Sequence, residues 1–592
     1  MAAKPAPLAK ANPTQSDNSS FFKAIFSGDL LEEFVFPYPT LSKDEQENVN
    51  FIVDAVKKFF SDKVDSRKID AEGKIPEEVL QGIKELGLFG MTIPQEYGGI
   101  GLSNTAYCKV FEQICPLDSS IGVTLAAHQS IGMKALLMFG TEEQKKKYLP
   151  DLATGKMIAA YALTEPTSGS DAYSIRTKAI PSEDGSHYIL NGSKIWITNG
   201  GIADFFTVFA KTPMEVKNKK TGQMEKTEKI NAFFVTRDMG GLTNGPEEDK
   251  MGIRGSSTTS IFFDNVKVPK ENLIGEPGRG FVVAMEVLNH GRLGLAAGCL
   301  GGGKHMVELA IKHASQREQF GKPLIDFGMI KEKIGRMTIE NYVLESLVYL
   351  TTGMIDANVE DYSLESAMCK ITGSETLWRT VDETLQILGG SGYMKEYPYE
   401  QALRDGRINL IFEGTNEILR LFIALAGMKG VGEYLKVIGK ALNAPIKSLG
   451  ILRNFVVRKV TKTITRDRLT GVNPIFKDEA ILVEDLVAAF ASEVENLLRR
   501  HGKDIVNREF AQKRIADCSI DLFSMIATLS RVTLAISQKG EEGSEEEINI
   551  CKTYCARAGG RIKTRLKRLT ENDDENIKEI SSYTQEAQKY PF

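Results

Sequence analysis

One carboxylate stands out for its surroundings. Glu413 lies in the run Arg407–Phe422, RINLIFEGTNEILRLF, and is followed by Gly414, Thr415 and Asn416. Leu410, Ile411 and Phe412 precede it, and Ile418, Leu419 and Leu421 come after. Apolar flanks disfavour the ionised form and raise a carboxyl pKa, and a neighbouring glycine lets backbone approach a ligand closely. The pattern fits a general base at the mouth of a buried slot. On these residues alone, a turn whose glutamate caps the next helix is the plainer reading.

Other stretches carry binding chemistry. Leu163-Thr164-Glu165-Pro166-Thr167-Ser168-Gly169-Ser170-Asp171 offers hydroxyl and backbone N–H donors to a polar ring or a phosphate. No Gly-Lys-Ser/Thr follows it, so it is not a P-loop, and no GxGxxG on a βα turn favours a nicotinamide dinucleotide. Trp196, Ile197 and Thr198 end a candidate strand, where an indole can stack on a flat ring and a hydroxyl can bond its edge. Either residue alone reads as well as a half-buried strand end. Arg317, at the end of a helical run, has the fork geometry of a phosphate clamp. His128 has no ligand partner at i+4, and Cys551 and Cys555 lack a second pair, so no metal site is expected.

At 592 residues the chain requires several cores. A charged fraction of 26% and a net charge of −4 give no general attraction to nucleic acid. Seven scattered cysteines point to reduced thiols. No run of eighteen apolar residues is present to span a bilayer.

The expected class is α+β, mainly helical. An extended or disordered lead covers 1–40 and lacks the Arg-rich amphipathic character of a transit peptide. An N-terminal helical domain follows over 41–156 and includes a small-residue helix at Gly122–Gly132. A middle antiparallel β domain spans 157–272, with Asn191-Gly192 as a hairpin turn and Lys219–Gly222 as an exposed turn. A helical-bundle domain occupies 273–430, with helices expected over 280–316, 327–356, 364–388 and 415–428. A basic amphipathic segment fills 431–474 and an extra C-terminal helical domain 475–592.

The order LTEPTSGSD, KIWITNG, SQREQFGKP, QILGGSGY and IFEGTNEI across residues 40 to 430 resembles the acyl-CoA dehydrogenase flavoprotein family. The long C-terminal extension is similar to that of members acting on very long acyl chains. It is shared with one member that assists assembly of respiratory complex I, so a non-catalytic assembly factor is the competing reading.

The resemblance implies an FAD-dependent enzyme that converts long-chain acyl-CoA to trans-2-enoyl-CoA. It passes electrons to electron-transferring flavoprotein at the mitochondrial inner membrane. By the same resemblance Glu413 is the base that removes the pro-R α-proton, and Gly291 stands where some members carry that base instead. The thioester carbonyl is polarised by the Glu413 backbone N–H and the FAD ribitol hydroxyl. Tyr161, Leu163, Thr164, Gly169, Ser170, Trp196, Ile197 and Thr198 line the flavin, Ser170 also lying near the substrate. Arg317 and Phe320 contact the FAD of one subunit. Gln386, Leu388, Gly389 and Gly390 reach the adenosine end of the partner's, which requires a homodimer. Thr415 and Glu417 flank the FAD phosphates. Arg292 and Gly414 meet the substrate, and Asn289 stands where many members carry an acid. Small residues at Gly122, Ala126 and Ala127 leave the acyl slot open to long chains.

Residues 435–468 place Leu435, Ile438, Leu442, Leu449, Leu452, Val456 and Val460 at helical spacing among many basic residues and one acid, Asp467. Such a stretch suits peripheral binding to an anionic membrane. A solvated face on a packing helix is the plainer alternative.

Overall fold

The computed structural model describes residues 20–217, 222–442 and 468–592. Lys219–Thr221 and the 443–467 part of the basic segment lie outside the described residues. In chain order the helices used below are α1 (Phe21–Phe26), α2 (Lys43–Lys63), α3 (Asn104–Ile114) and α4 (Ser119–Ala126). The strands are β1 (Ala159–Ala162), β2 (Lys178–Pro181), β3 (His187–Thr198), β4 (Phe205–Lys217), β5 (Met224–Thr236), β6 (Leu242–Glu247), β7 (Thr258–Pro269) and β8 (Leu273–Ile274). Then come α5 (Gly280–Gln316), the hairpin β9 (Glu318–Gln319) and β10 (Lys322–Pro323), α6 (Gly328–Asp356), α7 (Ser363–Leu388) and α8 (Asn416–Leu442). Four more helices follow: α9 (Lys477–His501), α10 (Glu509–Lys539), α11 (Glu545–Lys567) and α12 (Asp574–Ala587).

Two compact units result. One gathers 40–356 and 369–418; the other gathers 20–39, 357–368 and the chain from Leu419 on. The second unit resumes within α8 at Leu419, where Leu419, Ile423 and Ala424 are buried.

In the first unit, local chemistry sets the helix starts. Ser42 and Glu45 form a reciprocal capping box on α2, and the Asp118 carboxylate accepts from Ile121 N at the start of α4. A π-helical turn, Ala127–Gly132, continues α4. His128 within it is fully buried: Nδ1 accepts from Ala159 N at 2.9 Å, so Nε2 carries the proton toward Leu152 O at 3.2 Å. Burial pushes its pKa down to about 4, which keeps the ring neutral.

The sheet order is β6-β7-β3-β2-β4-β5-β8, with β1 on β4. It is mixed rather than purely antiparallel, because β1 runs parallel to β4. The expected Asn191-Gly192 turn is also corrected: β3 runs straight through it as a bulge against β7. Gly192 has φ 147°, and a Cβ there would come within 2.6 Å of Thr177 Oγ1, so glycine serves close strand packing. The true turn, Glu183–Ser186, holds Asp184 and Gly185 between β2 and β3.

Helix α5 is 37 residues long, roughly 55 Å at 1.5 Å per residue. Its buried glycines let neighbours touch its backbone: a Cβ on Gly301 would lie 1.9 Å from Glu112 O on α3, and one on Gly303 2.1 Å from Asn341 Oδ1 on α6.

In the second unit the lead expected to be extended or disordered over 1–40 carries the helix α1. Phe21, Phe22 and Phe26 of α1 are fully buried. Phe22 meets Phe523 edge-on at 5.9 Å, and Phe26 meets Phe490 at 5.0 Å. Three phenylalanines in six residues carry enough apolar surface to hold a short helix in place. Helix α10 is the one described helix apolar enough by length and composition to cross a membrane, but 78% of its apolar window is buried inside the protein. It is the core helix of this unit.

Candidate active site

The 3₁₀ turn Ile408–Leu410 and the start of α8 leave Glu413 on a connection with φ 57°, followed by Gly414 at φ 96°. A left-handed non-glycine residue costs of order 1–3 kcal/mol and persists only where its surroundings impose it. Here two buried cations do so. Arg292 Nε of α5 donates to Glu413 O at 3.3 Å, and Lys370 Nζ of α7 donates to Gly414 O at 2.8 Å. Two successive carbonyls are thus held by two different helices.

The Glu413 carboxylate points at Gly291 of α5. A Cβ built there would lie 3.0 and 3.2 Å from its two oxygens and 2.8 Å from Ile131 Cγ2. Oε2 is buried and, among the described residues, accepts no hydrogen bond. Burial pushes the Glu413 pKa up to about 7, against the opposing pull of Arg292 and Lys370. Burial in turn lowers Arg292 to about 10 and Lys370 to about 8. Arg292 Nη1 donates to Asn289 Oδ1 at 2.8 Å, so the amide standing in an acid's place serves the guanidinium. Among the described residues no acceptor meets the Glu413 backbone N–H, which leaves it free to polarise a carbonyl.

The polar loop after β1 is pinned from beneath. Lys194 of β3, fully buried, donates to Glu165 Oε1 at 2.7 Å and to Leu163 O at 3.0 Å. Burial raises the Glu165 pKa, but Lys194 and the Thr177 and Arg176 N–H groups outweigh it and hold the carboxyl below its usual value. Ile195 N donates to Thr164 O at 3.0 Å. Gly169 faces open space and Ser170 is exposed. Beside this loop Trp196 sits in a β3 bulge with φ 57° and is 61% exposed, whereas Ile197 is buried and Thr198 half-buried. A large apolar ring held outward on strained backbone is the surface a flat ligand covers. Tyr161 of β1 donates to Ala284 O of α5 at 3.1 Å and lies in the field of Arg292 and Glu413.

The chain does not bring every expected residue to this point. Arg317, the residue that caps the C-terminus of α5, is 25 residues beyond Arg292, roughly 37 Å at 1.5 Å per residue. It lies at the bundle end where Ala310, Ala314 and Ile387 pack together. Phe320, at φ 53° and 95% exposed, tips the β9–β10 hairpin there. Gln386, Gly389 and Gly390 are exposed at the end of α7, with Leu388 buried beneath. Thr415 Oγ1 accepts from Ile418 N at 3.3 Å, and Glu417 is exposed in the first turn of α8. The expectation at Gly122 is corrected. A Cβ there would meet Cys115 Sγ at 2.8 Å, so this glycine serves packing rather than leaving open space; Ala126 is half-buried.

Comparison with known proteins completes the picture. Models of the acyl-CoA dehydrogenase N-terminal, middle and C-terminal domains match residues 45–156, 160–266 and 278–428. The ACAD9/ACADV C-terminal domain model matches 474–590. The chain is 45% identical to the human mitochondrial very long-chain specific acyl-CoA dehydrogenase over 567 residues, 95% of this chain and 86% of that one. The chain belongs to the acyl-CoA dehydrogenase family. This acyl-CoA dehydrogenase is also 35% identical to a probable acyl-CoA dehydrogenase of Bacillus subtilis, over 91% of this chain and 90% of that one. Its fold matches the Bacillus anthracis acyl-CoA dehydrogenase solved with FAD, at TM-score 0.76, 32% identity and 96% coverage of both chains. It matches butyryl-CoA dehydrogenase of Megasphaera elsdenii at TM-score 0.60 and 36% identity, over 66% of this chain and 99% of that one. The enzyme's cofactor is FAD, and the outward Trp196 beside a loop that exposes Gly169 and Ser170 fits an isoalloxazine ring. Lys370 and the pairing of Lys194 with Glu165 leave only a faint mark in the sequence, a lysine within SAMCKITG and one in KIWIT beside apolar residues.

Proposed function

We propose that this acyl-CoA dehydrogenase converts long- and very-long-chain acyl-CoA to trans-2-enoyl-CoA in mitochondrial β-oxidation. Glu413 acts as its base, and the electrons pass to electron-transferring flavoprotein. The observation that carries this is the Glu413 carboxylate, buried, with a free oxygen and a pKa of about 7, facing the side-chain-free surface of Gly291.

Bound FAD supplies the acceptor for the Cβ hydride. The chain's own part begins with the thioester carbonyl, which lies against the Glu413 N–H and acidifies the α-carbon. Glu413 takes the α-proton, and a base whose pKa lies near the working pH is best suited to that transfer. Arg292, held by Asn289, keeps the Glu413 turn in place and favours the carboxylate form. Trp196, Thr198 and the Leu163–Ser170 loop hold the flavin ring, while Thr415 and Glu417 flank its phosphates. Arg317 and Phe320 of one subunit, with Gln386–Gly390 of its partner, grip the rest of the cofactor, so the working form is a homodimer. An assembly-factor role is not favoured, because the base and its two clamps are intact.

The very-long-chain preference rests on the name of the human relative and on the small Ala126. Purified enzyme is expected to turn over palmitoyl-CoA at least about tenfold faster in kcat/KM than octanoyl-CoA. That is a modest demand on eight further methylenes at about 0.8 kcal/mol each when buried. A faster octanoyl-CoA reaction would contradict it.

The basic 435–468 stretch is proposed to hold the enzyme on the matrix face of the inner membrane, with about 1 kcal/mol per basic residue near an anionic surface. Deleting 440–466 is expected to abolish binding to cardiolipin-containing liposomes and leave turnover of soluble substrate intact. Retained liposome binding would overturn this assignment.

A further inference from the structure

Lys370, which holds the Gly414 carbonyl, is fully buried beside the base and takes no direct part in the proton transfer described above. Its ammonium bonds the backbone next to the carboxylate: Gly414 O at 2.8 Å and Asn416 Oδ1 at 2.9 Å. Asn416 is itself fixed, its amide donating to Ser374 Oγ at 3.0 Å and Glu375 Oε1 at 3.3 Å. Ser374 and Glu375 are on α7, as is Lys370, so one helix supplies both the cation and the groups that orient its acceptor. The bonded carbonyl closes a pair of left-handed residues, Glu413 and Gly414, a conformation that needs outside restraint at Glu413.

We propose that Lys370 is a positioning residue for the base, its ammonium locking the Glu413–Gly414 turn so that the carboxylate faces Gly291. This rests on the assignment of Glu413 as base. The lock also has an electrical side. The groups facing Lys370 are Glu413 from the turn, Cys299 and Arg292 from α5, and Glu375 from its own helix. Those in the field of Glu413 include Arg292, Lys370, Tyr107, Tyr161 and Cys299. Arg292 and Lys370 are the cations among them. Removing Lys370 therefore raises the Glu413 pKa and moves the acid limb of the rate upward.

Two variants separate position from charge. Lys370→Gln keeps an N–H donor for the Gly414 carbonyl without the charge, and Lys370→Met loses both. As FAD-loaded enzyme, Lys370→Gln is expected to move the acid limb of kcat up by about one pH unit and to lower kcat at neutral pH about fivefold. KM should change little. Lys370→Met is expected to fall about a further tenfold through lost orientation. If Lys370→Met does not accumulate as flavoprotein, the Lys370→Gln profile decides alone. Wild-type kcat and acid limb in Lys370→Gln, with only a lower melting temperature, would overturn the proposal and leave Lys370 a structural pin. Glu413→Gln measured alongside keeps the two ideas apart. Full activity there would remove the base itself, whereas an inactive Glu413→Gln beside an unshifted Lys370→Gln would remove only the lock.

Discussion

Glu413→Gln is expected to lower kcat about 10⁴-fold, the upper range for loss of a general base, with acyl-CoA and FAD binding and melting temperature close to wild type. Glutamine has the same shape and cannot accept the α-proton. The contacts that hold the turn, Arg292 on the Glu413 carbonyl and Lys370 on the Gly414 carbonyl, are made to backbone and survive the exchange. Oε2 accepts no bond among the described residues, so no partner is orphaned. A fall confined to kcat is the signature of an interaction made in the transition state. In the wild type, kcat/KM should rise with pH through about 7, because burial raises the Glu413 pKa to that value and only the carboxylate can take the proton. Steady-state kinetics across pH, with substrate-analogue binding as the control, checks both parts.

Gly291→Ala is the second large effect, expected to cost about 100-fold in kcat/KM, the size of a misplacement of about 1 Å at the reacting group. The added methyl would lie 3.0 and 3.2 Å from the Glu413 oxygens and 2.8 Å from Ile131 Cγ2, so the carboxylate must swing aside. Gly291 is inside α5, where alanine is otherwise favoured over glycine by about 1 kcal/mol. The melting temperature should hold or rise while the rate falls. A drop in stability with unchanged kcat/KM would mean that the methyl pushes on Ile131 and leaves the base in place.

Helical periodicity was the most readable part of the chain. The expected helix at 280–316 is Gly280–Gln316, and 364–388 is Ser363–Leu388, because long apolar-rich segments without proline leave a clear helical pattern. Local signals that depend on distant partners misled. Asn191-Gly192 looks like a turn until Thr177 and β7 hold it as a bulge, and Phe21–Phe26 looks like part of a loose lead until α9 and α10 cover it. The apolar flanks of Glu413 suit a capping turn as well as a base, and its expected role as base rests on the resemblance carried by the surrounding motifs and on the bare Gly291 position. Its left-handed turn and the cations that impose it were not legible, since Arg292 is 121 residues and Lys370 43 residues away in the sequence. Gly122 shows the same limit from the other side: small size alone does not separate an open slot from a close contact with Cys115.

The most direct test is anaerobic mixing of FAD-loaded enzyme with palmitoyl-CoA while the flavin's visible band is followed. Wild type should bleach within its turnover time and yield trans-2-enoyl-CoA, and Glu413→Gln should bind the substrate and remain oxidised. Bleaching of Glu413→Gln at the wild-type rate, or no bleaching of the wild type by any acyl-CoA, would contradict the assignment of Glu413 as the base of a long-chain acyl-CoA dehydrogenase.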